Sequence, residues 1–124
     1  MSAAGIGAKI AALGQLPSGL HNGDFLLTWQ HETQTLQAIL LAAEILEDLA
    51  RAGVATRPFD SGLGISIFRD NSTRTRYAFR SACNLLGLMT EELDESTSQI
   101  AHGETVRETA TMIGFLTEVV GIRD

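Results

Sequence analysis

One stretch of this 124-residue chain concentrates groups that can hold a small anion. Phe68-Arg69-Asp70-Asn71-Ser72-Thr73-Arg74-Thr75-Arg76 runs from an apolar segment directly into a helical one. The first turn of a helix leaves backbone N–H groups unpaired, and the macrodipole adds about half a positive charge there. Hydroxyls from Ser72, Thr73 and Thr75, with the guanidinium fork of Arg74, would complete a phosphate cradle around those amides. The same residues also fit an ordinary Ser/Thr cap followed by solvated arginines. Against that plainer reading, cations at a helix N-terminus oppose the dipole. Both readings stand at this level. Arg76 and Arg80, four apart, share one face of the helix.

Charge layout singles out the same stretch. The chain carries nine basic residues against fifteen acids, a net charge of −6, and eight of the nine are Arg, with Lys9 the exception. Residues 61–80 hold Arg69, Arg74, Arg76 and Arg80 against Asp70 alone, whereas residues 81–124 hold Arg107 and Arg123 against eight acids. Arg presents a rigid fork that matches phosphate and carboxylate, while solubilising charge is usually Lys-rich. An arginine island in an acidic chain suits a small anion. Nucleic acid and anionic membranes, which need a broad basic surface, are excluded as partners.

The elements that must position these groups follow from periodicity. Residues 1–24 read as a Gly-rich lead-in with a helical turn around Lys9–Leu13. From Glu32 to Ala52 the pattern is helical, with Leu36, Ile39, Leu40, Ala43, Leu46, Leu49 and Ala50 on the apolar side and Gly53 as a cap. Gly64 to Phe68 is a buried strand candidate, and a helix from Thr73 to Leu86 follows, with Tyr77, Ala78, Ser81, Ala82, Leu85 and Leu86 inward and Gly87 at its end. Leu88 to Leu93 reads as an exposed or edge strand, residues 94–103 as a polar loop, Glu104 to Glu118 as a third helix and Val119 to Ile122 as a last strand. That third helix would place Val106, Thr109, Ala110, Ile113 and Leu116 on one side. Strands alternating with helices imply an α/β fold, a parallel sheet flanked by helices, with ligands outside the carboxyl ends of the strands. Asp70 to Arg76 and Arg123 both fall at that edge.

Other classes drop out. The sequence contains neither G-x-G-x-x-G nor G-x-x-x-x-G-K-[ST], and Gly62-Leu63-Gly64 precedes its strand, so glycine-loop nucleotide binding is disfavoured. The one cysteine, Cys83, excludes an internal disulfide and a Cys-based zinc site, and mid-helix it reads as a small buried filler. His21 and His31 lack ligand partners at metal spacing, Trp29 reads as a packing residue, and the acids of residues 91–95 read as a solvated face. No apolar run reaches the roughly 18 residues of a membrane span. Lys9 sits inside the apolar lead-in rather than ahead of it, which is unlike a signal peptide, so a cytoplasmic location is expected.

Phe68 followed by Ser72-Thr73-Arg74-Thr75-Arg76, then Phe79, Ala82 and Leu86-Gly87, resembles the signature of the aspartate/ornithine carbamoyltransferase family. The resemblance continues through Ser98, Gly103-Glu104-Thr105 and Thr109 to Ile122-Arg123, and covers residues 25–124. The wording around Ala82-Cys83-Asn84-Leu85-Leu86-Gly87-Leu88 is nearest the YgeW-type branch of transcarbamoylases. The resemblance implies transfer of the carbamoyl group of carbamoyl phosphate to an amine acceptor such as an amino acid. It implies carbamoyl-phosphate binding by Ser72, Thr73, Arg74, Thr75 and Arg123, with Thr75 and Arg123 also polarising the carbonyl. Ser98 and His102 would lie in a loop that reaches a neighbouring subunit, so a homo-oligomer, a trimer, is implied. Arg76 and Glu104 would be structural. Arg76 would form an internal ion pair, and Glu104 would pair with an arginine across the subunit boundary or serve as a helix-start acid. No metal and no cofactor are needed, because the acceptor amine is itself the nucleophile.

Two departures stand out. Aspartate carbamoyltransferases place a lysine before Gly-Glu where this chain has Ala101-His102, so His102 is either a substitute donor or a plain loop histidine. The family's His-Pro-x-x-Gln segment does not occur, nor does an amine-binding domain. The chain therefore reads as residues 1–24, a lead-in, and residues 25–124, an incomplete carbamoyl-phosphate domain, with weak binding and no turnover expected of it alone. Alternatives are a non-catalytic phosphate or anion module, or an oligomer-forming piece, derived from that domain.

Overall fold

The computed structural model describes residues 3–17, 19–69, 71–94 and 102–123 and divides into two compact units, residues 1–56 and 57–124. The first unit holds two helices, α1 (Ala3–Gly14) and α2 (Thr33–Arg51), with a single 3-10 turn at Thr28–Gln30. The lead-in is thus a twelve-residue helix rather than one turn. Gly5 and Gly7 each cost about 1 kcal/mol in a helix interior, so tertiary partners must compensate. They are visible: Ile6 is buried, and Lys9 Nζ sits 2.8 Å from an Asp48 carboxylate oxygen and 3.4 Å from one of Glu44, both on α2. The Asp48 hydrogen bond and charge hold the Lys9 ammonium above its ordinary pKa, against partial desolvation.

The stripe on α2 is rotated from the sequence expectation. Thr35, Ala38 and Ile45 are its buried residues, whereas Leu40 is 65% exposed. Gly53 does close the helix: at φ +76° it lets its own N–H reach the Ala50 carbonyl and the Val54 N–H reach that of Leu49. That pair of bonds is a Schellman motif.

The second unit contains β1 (Leu63–Phe68), α3 (Thr73–Leu86), β2 (Met89–Glu92), α4 (Val106–Leu116) and β3 (Val119–Arg123). The three strands form one sheet in the order β2-β1-β3, both pairs parallel, which is the expected α/β architecture. Thr105 caps α4 through a capping box with Glu108, so that helix begins at Val106 rather than Glu104. Only Thr109 and Ile113 of its expected inward set are buried, while Val106 and Leu116 are exposed.

The inward face of α3 is a correction. Tyr77 and Leu85 are 66% and 54% exposed, and the helix instead buries Cys83 and turns Phe79 edge-on to Phe68, centroids 5.7 Å apart. The cause lies in the sheet. A Cβ at Gly64 would meet Cys83 Sγ at 2.8 Å, and one at Gly121 would meet the Phe79 ring at 2.7 Å. Two glycines on neighbouring strands therefore form the seat for Phe79 and Cys83. Burial of Cys83 pushes its thiol pKa up. Among the described residues no helix is long and apolar enough to cross a membrane.

Candidate functional site

The carboxyl ends of β1 and β3 lie side by side, with Phe68 in register with Arg123 and the Arg69 N–H donating to the Arg123 carbonyl at 3.1 Å. Four residues beyond Phe68 the chain enters α3 with Ser72 as the cap. Its extended backbone (φ −71°, ψ 100°) presents Oγ to the Thr75 N–H at 3.3 Å. Ser72 thus satisfies one of the donors that a helix start leaves open. The N–H groups of Thr73 and Arg74, at the positive end of the helix, have no partner among the described residues.

Arg123 reaches this helix start from 51 residues away. Its Nη1 donates to Ser72 Oγ at 3.1 Å and also to Thr75 Oγ1, while the two hydroxyl oxygens are 2.9 Å apart. The guanidinium, the capping hydroxyl and the N3 hydroxyl form a closed triangle. If Ser72, already accepting from two N–H donors, gives its own proton to Thr75, then the Thr75 hydroxyl proton is left to point out of the triangle. Thr73 and Arg74 are exposed and carry no side-chain bond among the described residues. The sheet and helix thereby bring together Ser72, Thr75 and Arg123, with Thr73 and Arg74 on the same first turn.

Arg76, one turn further along, points the other way. Its Nη2 donates to the Phe68 carbonyl at 3.0 Å, and its Nη1 pairs with Glu92, the last residue of β2. Beside it lies a cavity of about 280 Å³, lined by Arg69, Asn71, Arg76, Glu92 and Asp94 among others. Glu92 went unnoticed in the sequence, where it read as part of a solvated acidic face. No local signal marks it, since only the pairing of β2 with β1 carries it to the arginine.

Other expected residues lie apart from this cluster. Glu104 precedes α4 and accepts a hydrogen bond from the buried Thr109 hydroxyl at 3.0 Å. His102 is exposed. Ser98 lies outside the described residues, as do Asp70 and Ala101.

Residues 23–124 match the family described as aspartate/ornithine carbamoyltransferase, carbamoyl-P binding domain. The chain is 55% identical over 115 residues to the protein named "Putative carbamoyltransferase YgeW" of Escherichia coli (strain K12), covering 93% of this chain and 29% of that protein. It is 32% identical over 107 residues to an ornithine carbamoyltransferase of Prochlorococcus marinus (strain MIT 9312), covering 86% and 33%. Its fold matches a crystal structure of aspartate transcarbamoylase from Trypanosoma cruzi in complex with carbamoyl phosphate, with a TM-score of 0.76 at 21% identity over 90% of this chain and 35% of that one. The chain spans about a third of the length of these relatives. It belongs to the aspartate/ornithine carbamoyltransferase family, as that family's carbamoyl-phosphate-binding domain.

Proposed function

We propose that this chain binds carbamoyl phosphate at the start of α3 and supplies that half of a carbamoyl transfer to an amine acceptor, an amino acid by family resemblance. The observation that carries the reading is the convergence of Arg123 on Ser72 and Thr75 at the first turn of α3, where Thr73 and Arg74 also lie. In this reading the amides, hydroxyls and Arg74 hold the phosphate. Thr75 and Arg123 aim donors at the carbamoyl oxygen.

Chemistry then follows from differential stabilisation. The acceptor nitrogen attacks the carbamoyl carbon, a C–N bond forms, and the C–O bond to phosphate breaks. The amine loses a proton, and phosphate leaves with the electron pair. Donors placed where charge develops on the carbonyl oxygen lower the barrier to the tetrahedral transition state, and a phosphate gripped by amides and arginine is a better leaving group. The neutral amine is the nucleophile, so no side chain of this chain need attack.

In the same reading residues 25–124 form the carbamoyl-phosphate domain, with residues 1–24 as a lead-in. Ser98 and His102 serve a neighbouring copy within a cytoplasmic trimer, and Arg76 and Glu104 are structural. A second reading rests on one residue: His102 stands where aspartate carbamoyltransferases carry lysine, which favours a non-catalytic anion module that kept the cradle. Calorimetric titration with carbamoyl phosphate and with inorganic phosphate separates the two. Tighter binding of carbamoyl phosphate supports the transferase reading, and equal affinity supports the module.

A further inference from the structure

We infer that Glu92 is a positioning residue for the anion cradle: by gripping Arg76 it fixes the end of β1 and, through it, the first turn of α3. The inference rests on the anion-binding reading of Ser72, Thr75 and Arg123. Glu92 ends β2, and its carboxylate pairs with Arg76 Nη1 while Arg76 Nη2 donates to the Phe68 carbonyl at 3.0 Å. Phe68 in turn ends β1 and is the register partner of Arg123. One guanidinium therefore ties two strand ends to the helix that carries the cradle. The planar fork of arginine is what lets a single side chain hold a carboxylate and a carbonyl together. The pair is only partly exposed, at 29% for Arg76 and 37% for Glu92. Without the carboxylate, Arg76 loses its anchor on β2, and the β1–α3 turn loses a constraint within four residues of Ser72.

The sign of the effect separates this role from plain electrostatics. A carboxylate near an anion site repels the anion, so through-space charge alone makes Glu92→Gln bind phosphate more tightly. Positioning makes it bind more weakly, by about tenfold, the usual worth of a hydrogen bond to a charged group. The experiment titrates inorganic phosphate into the wild-type chain, Glu92→Gln, Arg76→Lys and the double variant, at low and moderate salt. Weaker binding by Glu92→Gln at both salt concentrations is expected, together with a similar loss in Arg76→Lys and no further loss in the double variant. Unchanged or tighter binding by Glu92→Gln overturns the inference while leaving the cradle intact. Failure of the wild type to bind phosphate overturns the anion reading itself. Should Glu92→Gln unfold, side-chain nitrogen NMR of the wild type decides. On phosphate addition the Arg123 guanidinium signal moves and that of Arg76 stays. Equal movement of Arg76 makes it a ligand contact and sinks the positioning role.

Discussion

The Arg123 guanidinium, on the last strand, donates to the Ser72 hydroxyl over 3.1 Å, and the same hydroxyl caps helix α3. Strand β3 and the start of α3 thus share one oxygen. Such a junction makes the anion site and the fold interdependent at Ser72, and independent at Arg74, which extends from the same turn without a partner among the described residues.

Ser72→Ala is expected to lose the cap and the Arg123 anchor together. Cap loss alone costs about 0.5–2 kcal/mol. Urea unfolding is expected to show a lower midpoint, and phosphate titration a lower affinity. Ser72→Thr, which keeps the hydroxyl, is expected to retain most of both. A Ser72→Ala chain with unchanged affinity removes Ser72 from the cradle.

Arg74→Ala is expected to behave in the opposite way. An exposed side chain with no partner among the described residues leaves stability within about 0.5 kcal/mol. Affinity for inorganic phosphate is expected to fall about tenfold or more, since a charge-assisted bond is lost. Denaturant melts and calorimetry on the same samples check the two halves, and equal affinity in the variant excludes Arg74 as a phosphate ligand.

The seat under α3 gives a packing test. Gly64→Ala drives a methyl toward Cys83 Sγ, 2.8 Å from where its Cβ would stand, and is expected to cost about 1–3 kcal/mol. Cys83→Ala removes that sulfur. In the double variant the two costs are expected to add to less than their sum, because contacting residues couple. Strict additivity in urea unfolding contradicts the contact.

Alkaline pH supplies an independent check on the same residue. Burial raises the Cys83 thiol above its ordinary 9.0, so the folded chain holds the proton longer than the unfolded one does. The resulting stability is complete below pH 9.0 and is lost as pH rises through the folded value. Unfolding midpoints measured across this range are expected to fall more steeply in the wild type than in Cys83→Ala. The Lys9 ammonium, raised by Asp48, acts in the same direction above its ordinary 10.5. Identical slopes in the two chains contradict burial of the thiol.

Much of this architecture was legible in the sequence, because strand and helix periods differ and the caps are chemically distinct. Asp70-Asn71-Ser72 before an apolar period placed the start of α3 at Thr73, where the structure has it, and Gly87 marked its end. The orientation of α3 about its axis was not legible. Apolar spacing favoured Tyr77 and Leu85, whereas docking was decided by Gly64 and Gly121, residues 57 apart that become neighbours only when the parallel sheet forms. The helical lead-in was hidden by Gly5 and Gly7, since the compensating Lys9–Asp48 pair spans 39 residues. At the site, the helix-start hydroxyls and Arg123 were readable from their types and from family resemblance. Glu92 was not, because its pairing with Arg76 is a product of strand order and leaves no local pattern.

Carbamoyl phosphate titrated into the ¹⁵N-labelled chain, followed by amide NMR, tests most directly whether the start of α3 is the binding site. The amides of Thr73, Arg74 and Thr75, together with Arg123, are expected to shift saturably and at lower concentration than with inorganic phosphate. Saturable shifts elsewhere, with those four residues unmoved, would contradict the assignment of carbamoyl phosphate to this cradle.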